Sequence, residues 1–218
     1  MPDDEPSDPH RGPGHRHPTG DHRRMHEEGW SRERAEAVLD SPERASTQDP
    51  GRLWQRLDLR RGETVADVGA GTGFYAFPAG EVVGPTGRVY AIDVSDELIE
   101  LLAERVAARR ASAVVPVRST ASKIPLASEV ADVVLLANLL HGVPPSTVDE
   151  AIRLLRPGGR FANVDWKKQE TPMGPPVEHR LTSAQAIEVL TRHGLDYREE
   201  FEVGPYHYAV VFSKPGRS

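Results

Sequence analysis

The run VADVGAGTG, Val65 to Gly73, constrains this chain more than any other stretch. A short β-rich segment at 64–68 passes into three alternate glycines, Gly69, Gly71 and Gly73, and then into an apolar run at 74–83. Strand, glycine turn and helix make the opening unit of an α/β sheet, in which ligands bind outside the carboxyl ends of parallel strands. Glycines at that turn let backbone N–H groups approach a ligand with no Cβ in the way. Asp67 stands just before the loop. Asp93 ends the next predicted strand, where a carboxylate can accept both hydroxyls of a ribose.

Two ligands suit this arrangement. A dinucleotide calls for G-x-G-x-x-G, but Phe74 stands where the third fingerprint glycine belongs. S-adenosylmethionine has no phosphate and carries a cationic amino-acid end. Asp67 suits that end and would repel a pyrophosphate. A turn that merely joins a strand to a helix has no need of Asp67, the glycines and Asp93 together.

The pattern continues down the chain. Strands are predicted over 64–68, 88–92, 114–117, 130–137 and 160–165, with a closing antiparallel pair at 196–203 and 207–213. Helices are predicted over 31–40, from Pro50 through Leu57, over 74–83 with a distortion at Pro78, and from Ser95 to Arg110. Two more follow, at 146–155, with Ser146 and Asp149 as a capping box, and from Thr182 to His193. Alternating strands and helices imply a doubly wound α/β fold, its sheet mostly parallel and covered by helices on both faces.

Length and composition set the bounds. At 218 residues and 24.0 kDa, with 38% apolar and 28% charged residues, the chain suits one α/β domain with tails. A net charge of −6 argues against a general nucleic-acid binder. Without cysteine there are no disulfides, thiolate metal sites or cysteine nucleophiles. The most hydrophobic stretch, 130–140, is interrupted by Asp132 and Asn138 and is too short to span a bilayer. The opening MPDDEPSDPH lacks a signal-peptide pattern, which leads to the expectation of a soluble, cytoplasmic chain.

Three regions are expected. Residues 1–29 hold two apolar residues and five of the nine histidines, and read as a disordered tail whose histidines form no metal site. Residues 30–58 read as a helical connector or lid, whose Trp30, Leu39, Leu53 and Trp54 need cover. Residues 59–218 form the domain proper.

The segment from Val65 to Arg105, VADVGAGTGFYAFPAGEVVGPTGRVYAIDVSDELIELLAER, resembles the first two motifs of class I S-adenosylmethionine-dependent methyltransferases. STASKIP at 119–125, ADVVLLA at 131–137 and LLRPGGR at 154–160 are similar to later segments of that family in order and spacing. The resemblance covers roughly residues 50–213 and is closest to the small single-domain group that includes quinone-pathway C-methyltransferases. It implies a Rossmann-like, seven-stranded sheet with a closing antiparallel strand, and S-adenosylmethionine as cofactor. By the same resemblance Asp67 faces the methionyl ammonium, Gly69 and Gly71 pass close to the methionyl part, and Gly73 opens the first helix. Asp93 holds the ribose and Val94 packs on the adenine. Thr120 and Ala121 lie near the adenine amino group, where Thr120 replaces the family's acid. Asn138 borders the cofactor and the substrate entrance.

Methyl transfer from a sulfonium is an in-line displacement that needs alignment, exclusion of water and sometimes a base. Bases are expected past the ends of strands four and five. His141 comes first, then Asp165, with His179 and Arg180 further along. No metal is called for. The acceptor is expected to be a small molecule, a quinone-like phenol, amine, carboxylate or soft chalcogen compound, and the chain a monomer or homodimer. Arsenite is disfavoured because its methylation relies on cysteine thiolates. The connector and the segment GPPVEHR, 174–180, are expected to roof the acceptor pocket. A nicotinamide-dependent oxidoreductase and a non-catalytic methyltransferase-like binding protein stand as rival readings.

Overall fold

Strand β1 (Thr64–Val68) is buried from its second residue onward and lies inside a seven-stranded sheet. The other strands are β2 (Arg88–Asp93), β3 (Val114–Arg118), β4 (Ala131–Ala137), β5 (Leu155–Trp166), β6 (Asp196–Gly204) and β7 (His207–Ser213). A computed structural model describes residues 30–216, so the tail expected at 1–29 lies outside the described residues. The sheet order is β3-β2-β1-β4-β5-β7-β6. Strands β1 to β5 pair in parallel, and β7 runs antiparallel to both β5 and β6. The chain steps outward from β1 to β3 and returns to β4 beside β1. The order therefore reverses between β1 and β4, the place where such sheets open a ligand crevice.

Among the described residues seven α-helices accompany the sheet: α1 (Arg32–Leu39), α2 (Pro42–Thr47), α3 (Pro50–Arg56), α4 (Ala76–Val83), α5 (Asp96–Arg109), α6 (Pro145–Leu154) and α7 (Ser183–Arg192). Their starts are written in the sequence. Ser31, Ser41, Asp49 and Ser95 each accept a hydrogen bond from the backbone N–H three residues on. Thr182 and Gln185 complete a reciprocal capping box. Each such cap is worth about 1 kcal/mol.

Alternation along the strands divides the core. Val65, Val133 and Ala162 pack with Leu53, Trp54, Phe77 and Val83 of α3 and α4. Ala66, Val68, Val134 and Phe161 pack with Val148, Leu154, Ala186 and Leu190 of α6 and α7. Helices thus cover both faces, and the chain has the Rossmann-like sheet expected.

Several local expectations need correction. The helices expected over 31–40 and from Pro50 leave 41–49 without an element. Ser41 caps a further helix, α2, with Pro42 in its first turn. Pro78 causes no distortion, because α4 begins at Ala76 and leaves the proline in the first turn, where its missing N–H costs nothing. Ser146 does not cap α6. That helix starts at Pro145 after Pro144, with no side-chain cap. β5 begins at Leu155, ahead of Pro157, and a register shift against β4 absorbs the Pro157–Gly159 segment.

The link between β3 and β4 carries no helix and is clamped instead. Arg153 donates to the carbonyls of Leu126 (2.8 Å) and Ile124 (2.9 Å). Glu150 accepts from Ile124 N at 2.8 Å, and its hydrogen bonds to Arg153 hold its carboxyl down at about 2. No helix among the described residues is long and apolar enough to cross a membrane.

Candidate active site

The glycine loop is tied to β2 by its backbone. Gly69 N and Ala70 N both donate to Ile92 O, at 2.8 and 2.9 Å. Asp93 finishes the link, accepting from Gly71 N at 2.9 Å and from Ser95 N at 3.0 Å. Burial raises the Asp93 pKa, and these backbone donors pull it back. The loop needs its glycines. Gly69 has φ +77 and Gly71 φ +58, and an added Cβ would come within 2.9 Å of Leu139 and Leu39 respectively.

A cavity of about 1090 Å³ opens over this loop, across the carboxyl ends of the strands. Single-ligand pockets span roughly 300–1,000 Å³, so this one has room for two small molecules. Gly69, Gly71, Asp93, Val94, Thr120 and Ala121 line one half. Asn138, His141, Trp166 and the loop 172–175 line the other, and Trp30, Leu39, Arg44 and Gln48 of the connector close over it.

Asp67, Gly73 and Asp165, all expected at the site, do not line the cavity wall. Gly73 (φ +87) packs instead against Phe77 and Leu102, at 2.5 and 3.0 Å from an added Cβ, so it serves the turn into α4, which opens only at Ala76. Asp165 is fully buried behind the wall and holds His141, whose Nδ1 lies 3.0 and 3.1 Å from its two oxygens. Trp166 N donates to Asp165 Oδ1 at 2.9 Å and fixes the carboxylate. Asp67 is also buried, with Oδ2 unpartnered, and burial pushes its carboxyl up to about 7 against the attraction of Arg44.

The His141 pKa is raised. Burial pulls it down, but the charge and hydrogen bond of Asp165 outweigh that pull. The bond to Asp165 fixes the proton on Nδ1 and makes Nε2 the basic nitrogen.

His179 is absent from the cavity wall, and Arg180 is fully occupied elsewhere. Its guanidinium donates to the carbonyls of Pro175 (2.8 Å), Gln169 (2.8 Å) and Lys167 (3.2 Å) and to Thr171 Oγ1 (2.8 Å). It therefore shapes the loop 167–175. Gly174 lies against the face of Trp166, 3.0 Å from an added Cβ, and the His207 ring lies tilted by 50° against the same indole, with centroids 4.0 Å apart.

Gln48 went unnoticed in the sequence. Its Oε1 accepts from Tyr75 OH (3.0 Å) and from Asn138 Nδ2 (3.3 Å), and its amide nitrogen donates to His207 Nε2 (3.1 Å). One buried amide thus joins the connector to the start of α4, the end of β4 and the start of β7. Burial keeps His207 neutral, with its pKa pushed down to about 3. Asn138 has φ +56, and its turn carries Leu139 over Gly69 and leads into His141. A glutamine between two short capped helices has no periodicity or motif to announce it.

The comparisons with known proteins agree with this architecture. The methyltransferase domain family matches residues 66–163. A crystal structure of a SAM-dependent methyltransferase from Aquifex aeolicus is 32% identical, with a TM-score of 0.79 over 84% of this chain and 98% of that one. An arsenite methyltransferase of Halobacterium salinarum is 38% identical over 48% of this chain and 27% of its own length. A ubiquinone/menaquinone biosynthesis C-methyltransferase of Ectopseudomonas mendocina is 30% identical over 56% of this chain and 51% of its own. The chain spans about a quarter of the first curated relative and about half of the second. With a doubly wound sheet, a glycine loop at the switch point and a near full-length relative above 30% identity, this chain belongs to the class I S-adenosylmethionine-dependent methyltransferases.

Proposed function

We propose that the chain moves a methyl group from S-adenosylmethionine to a small acceptor that gives up a proton, with His141 as the general base. The observation that carries this reading is the His141–Asp165 pair, with His141 in the wall and Asp165 behind it, in the same cavity whose other half is the glycine loop.

The residues present fit the donor. Asp67 Oδ2 is a buried acceptor without a partner, ready for a cationic amine directly or through a water. Gly69 and Gly71 leave the space that a side chain would fill. Asp93 uses one lone pair on each oxygen for the backbone and keeps capacity for ribose hydroxyls. Val94, Thr120 and Ala121 lie beside it for the adenine. When bound, S-adenosylmethionine supplies a methyl group already activated on a sulfonium. The protein is left to align and to shield. The connector covers the cavity against water, and Asn138 and Trp166 shape the acceptor half. His141 Nε2 takes the acceptor's proton, and Asp165 orients the ring and stabilises the imidazolium that results.

The acceptor half is lined largely by Val143, Leu139, Trp166, Met173 and Pro175, with His141 and Asn138 as its polar groups. That chemistry favours an apolar molecule bearing one acidic O–H, N–H or C–H, a quinol-like phenol among them. The missing third fingerprint glycine and the unpaired Asp67 weigh against a dinucleotide. The test is mass spectrometry of the purified chain for co-bound S-adenosylmethionine or S-adenosylhomocysteine, then an acceptor panel with radiolabelled methyl donor. Donor binding with no transfer to any acceptor supports a non-catalytic binding protein. Binding of NAD in place of the donor overturns the reading.

A further inference from the structure

The connector carries a cation that the fold does not neutralise. Arg44 of α2 lines the cavity and lays its guanidinium over Phe74, 4.2 Å from the ring centre. Nη1 donates to Leu39 O at 3.0 Å, while Nε is buried without a partner. Among the described residues no acid forms an ion pair with it. Asp40 attracts it, but that carboxylate is taken by Arg105 at 2.6 Å. Burial lowers the Arg44 pKa, with Tyr75, Asp67 and Asp40 opposing. A guanidinium nevertheless stays charged in proteins.

Asp67 is the complementary case. It attracts Arg44, yet the two do not pair, and its Oδ2 is likewise buried and unpartnered. A guanidinium and a buried carboxyl held apart beside a glycine loop cost the fold something unless a ligand completes both. The group that does so has a carboxylate and an ammonium on one carbon, an α-amino-acid end. Resting on the reading of this cavity as the donor site, we infer that Arg44 binds the donor's amino-acid carboxylate while Asp67 takes the ammonium. The guanidinium fork matches a carboxylate with two parallel hydrogen bonds, and stacking on Phe74 orders it in advance. Arg44 lies outside the matched segment 66–163, in the connector. The connector thereby gains a direct hold on the donor.

The test is calorimetry with three ligands on wild type, Arg44→Met and Arg44→Lys. The ligands are S-adenosylhomocysteine, its decarboxylated amine analogue and 5′-methylthioadenosine. The expected result is that wild type prefers S-adenosylhomocysteine over the amine analogue by about 10- to 100-fold, as for hydrogen bonds to a charged group. Arg44→Met should erase that preference and Arg44→Lys restore part of it. An equal loss for all three ligands means that Arg44 only holds the connector in place, and overturns the inference. So does a preference that survives in Arg44→Met. If benzoate binds the S-adenosylhomocysteine-loaded wild type but not loaded Arg44→Met, the arginine serves an acceptor carboxylate and the donor assignment falls. Wild type that binds none of the three overturns the reading of the site as well.

Discussion

The two halves of the cavity are built from different materials. The half over β1 and β2 is mainly backbone. Gly69, Ala70 and Gly71 are held by Ile92 O and Asp93, all within one β-α-β unit. The half over β4 and β5 is made of side chains that meet from distant parts of the chain. Gln48 of the connector bonds Asn138 after β4 and His207 of β7, and His141 bonds Asp165 across 24 residues. A backbone cradle recognises the one ligand common to a family. A side-chain wall can change its chemistry without disturbing that cradle, and so sets the acceptor.

Substitutions on the two sides should separate transfer from donor binding. The largest effect is expected at His141. His141→Asn should lower turnover by about 10²- to 10⁴-fold, the usual range for a positioned base. Affinity for S-adenosylhomocysteine should stay within about a factor of two of wild type, since substitutions at distant sites act nearly independently. A variant with normal turnover on an acceptor found by the panel removes His141 as the base. The wild-type rate should also fall as pH drops through the raised His141 pKa, above its ordinary 6.5, because the base must be unprotonated to act.

On the other side, Asp93→Ala should weaken S-adenosylhomocysteine by about 1.5–3 kcal/mol while the acceptor half keeps its shape. Part of that loss comes from the loop itself, since Asp93 also holds Gly71 N and Ser95 N. Calorimetry with adenosine and 2′-deoxyadenosine divides the two contributions. A ribose role predicts that the variant no longer distinguishes them. Unchanged affinity in a folded variant ends the ribose assignment.

A smaller effect is expected from Gln48→Leu, which leaves the Tyr75 hydroxyl, the Asn138 amide and His207 without their common partner. The melting midpoint should reflect a loss of about 1–3 kcal/mol. If the amide matters to the acceptor half, turnover should fall further than donor affinity. Equal losses in both would make the two halves one mechanical unit and dissolve the contrast drawn above.

This contrast also decides what could be read from the sequence. Strand β1 and the helix starts expected at 31, Pro50, Ser95 and Thr182 are local signals, settled within a few residues, and the structure places them within one residue of where the sequence does. Asp93 was legible as a carboxylate at a strand end. Gly73 looked like its two neighbours, but its loop position turns it toward Phe77, a difference that no alternation of glycines records. His141 was legible by its place after a strand. Its partnership with Asp165 depends on β4 and β5 lying side by side in register, with Ala137 opposite Val164. Gln48 and Arg44 could not be read at all, because the connector reaches the cavity only by a docked path. Asp49 N donates to Val203 O at 3.2 Å, and a Cβ on Gly204 would lie 1.9 Å from Thr47 O.

The last and smallest expected effect concerns protons at the boundary between the halves. Burial pushes the Asp67 carboxyl up to about 7, with Arg44 opposing and Asp93 adding to the rise. The folded, ligand-free chain therefore prefers Asp67 protonated. The stability that this preference contributes is complete below the ordinary carboxylate range and is lost as pH rises through about 7. An ammonium placed against Asp67 reverses the preference, since it favours the carboxylate. Binding of S-adenosylhomocysteine at pH 6 should then release up to about one proton, and affinity should climb by at most about tenfold per pH unit before levelling above neutrality. Calorimetry in buffers of different ionisation enthalpy counts the proton directly. Asp67→Asn should abolish the release and flatten the pH dependence, whereas His141→Asn should leave both intact because its imidazole belongs to the acceptor half. Release that persists in Asp67→Asn and disappears in His141→Asn would place the donor's ammonium on the wrong side of the cavity and overturn the assignment of Asp67.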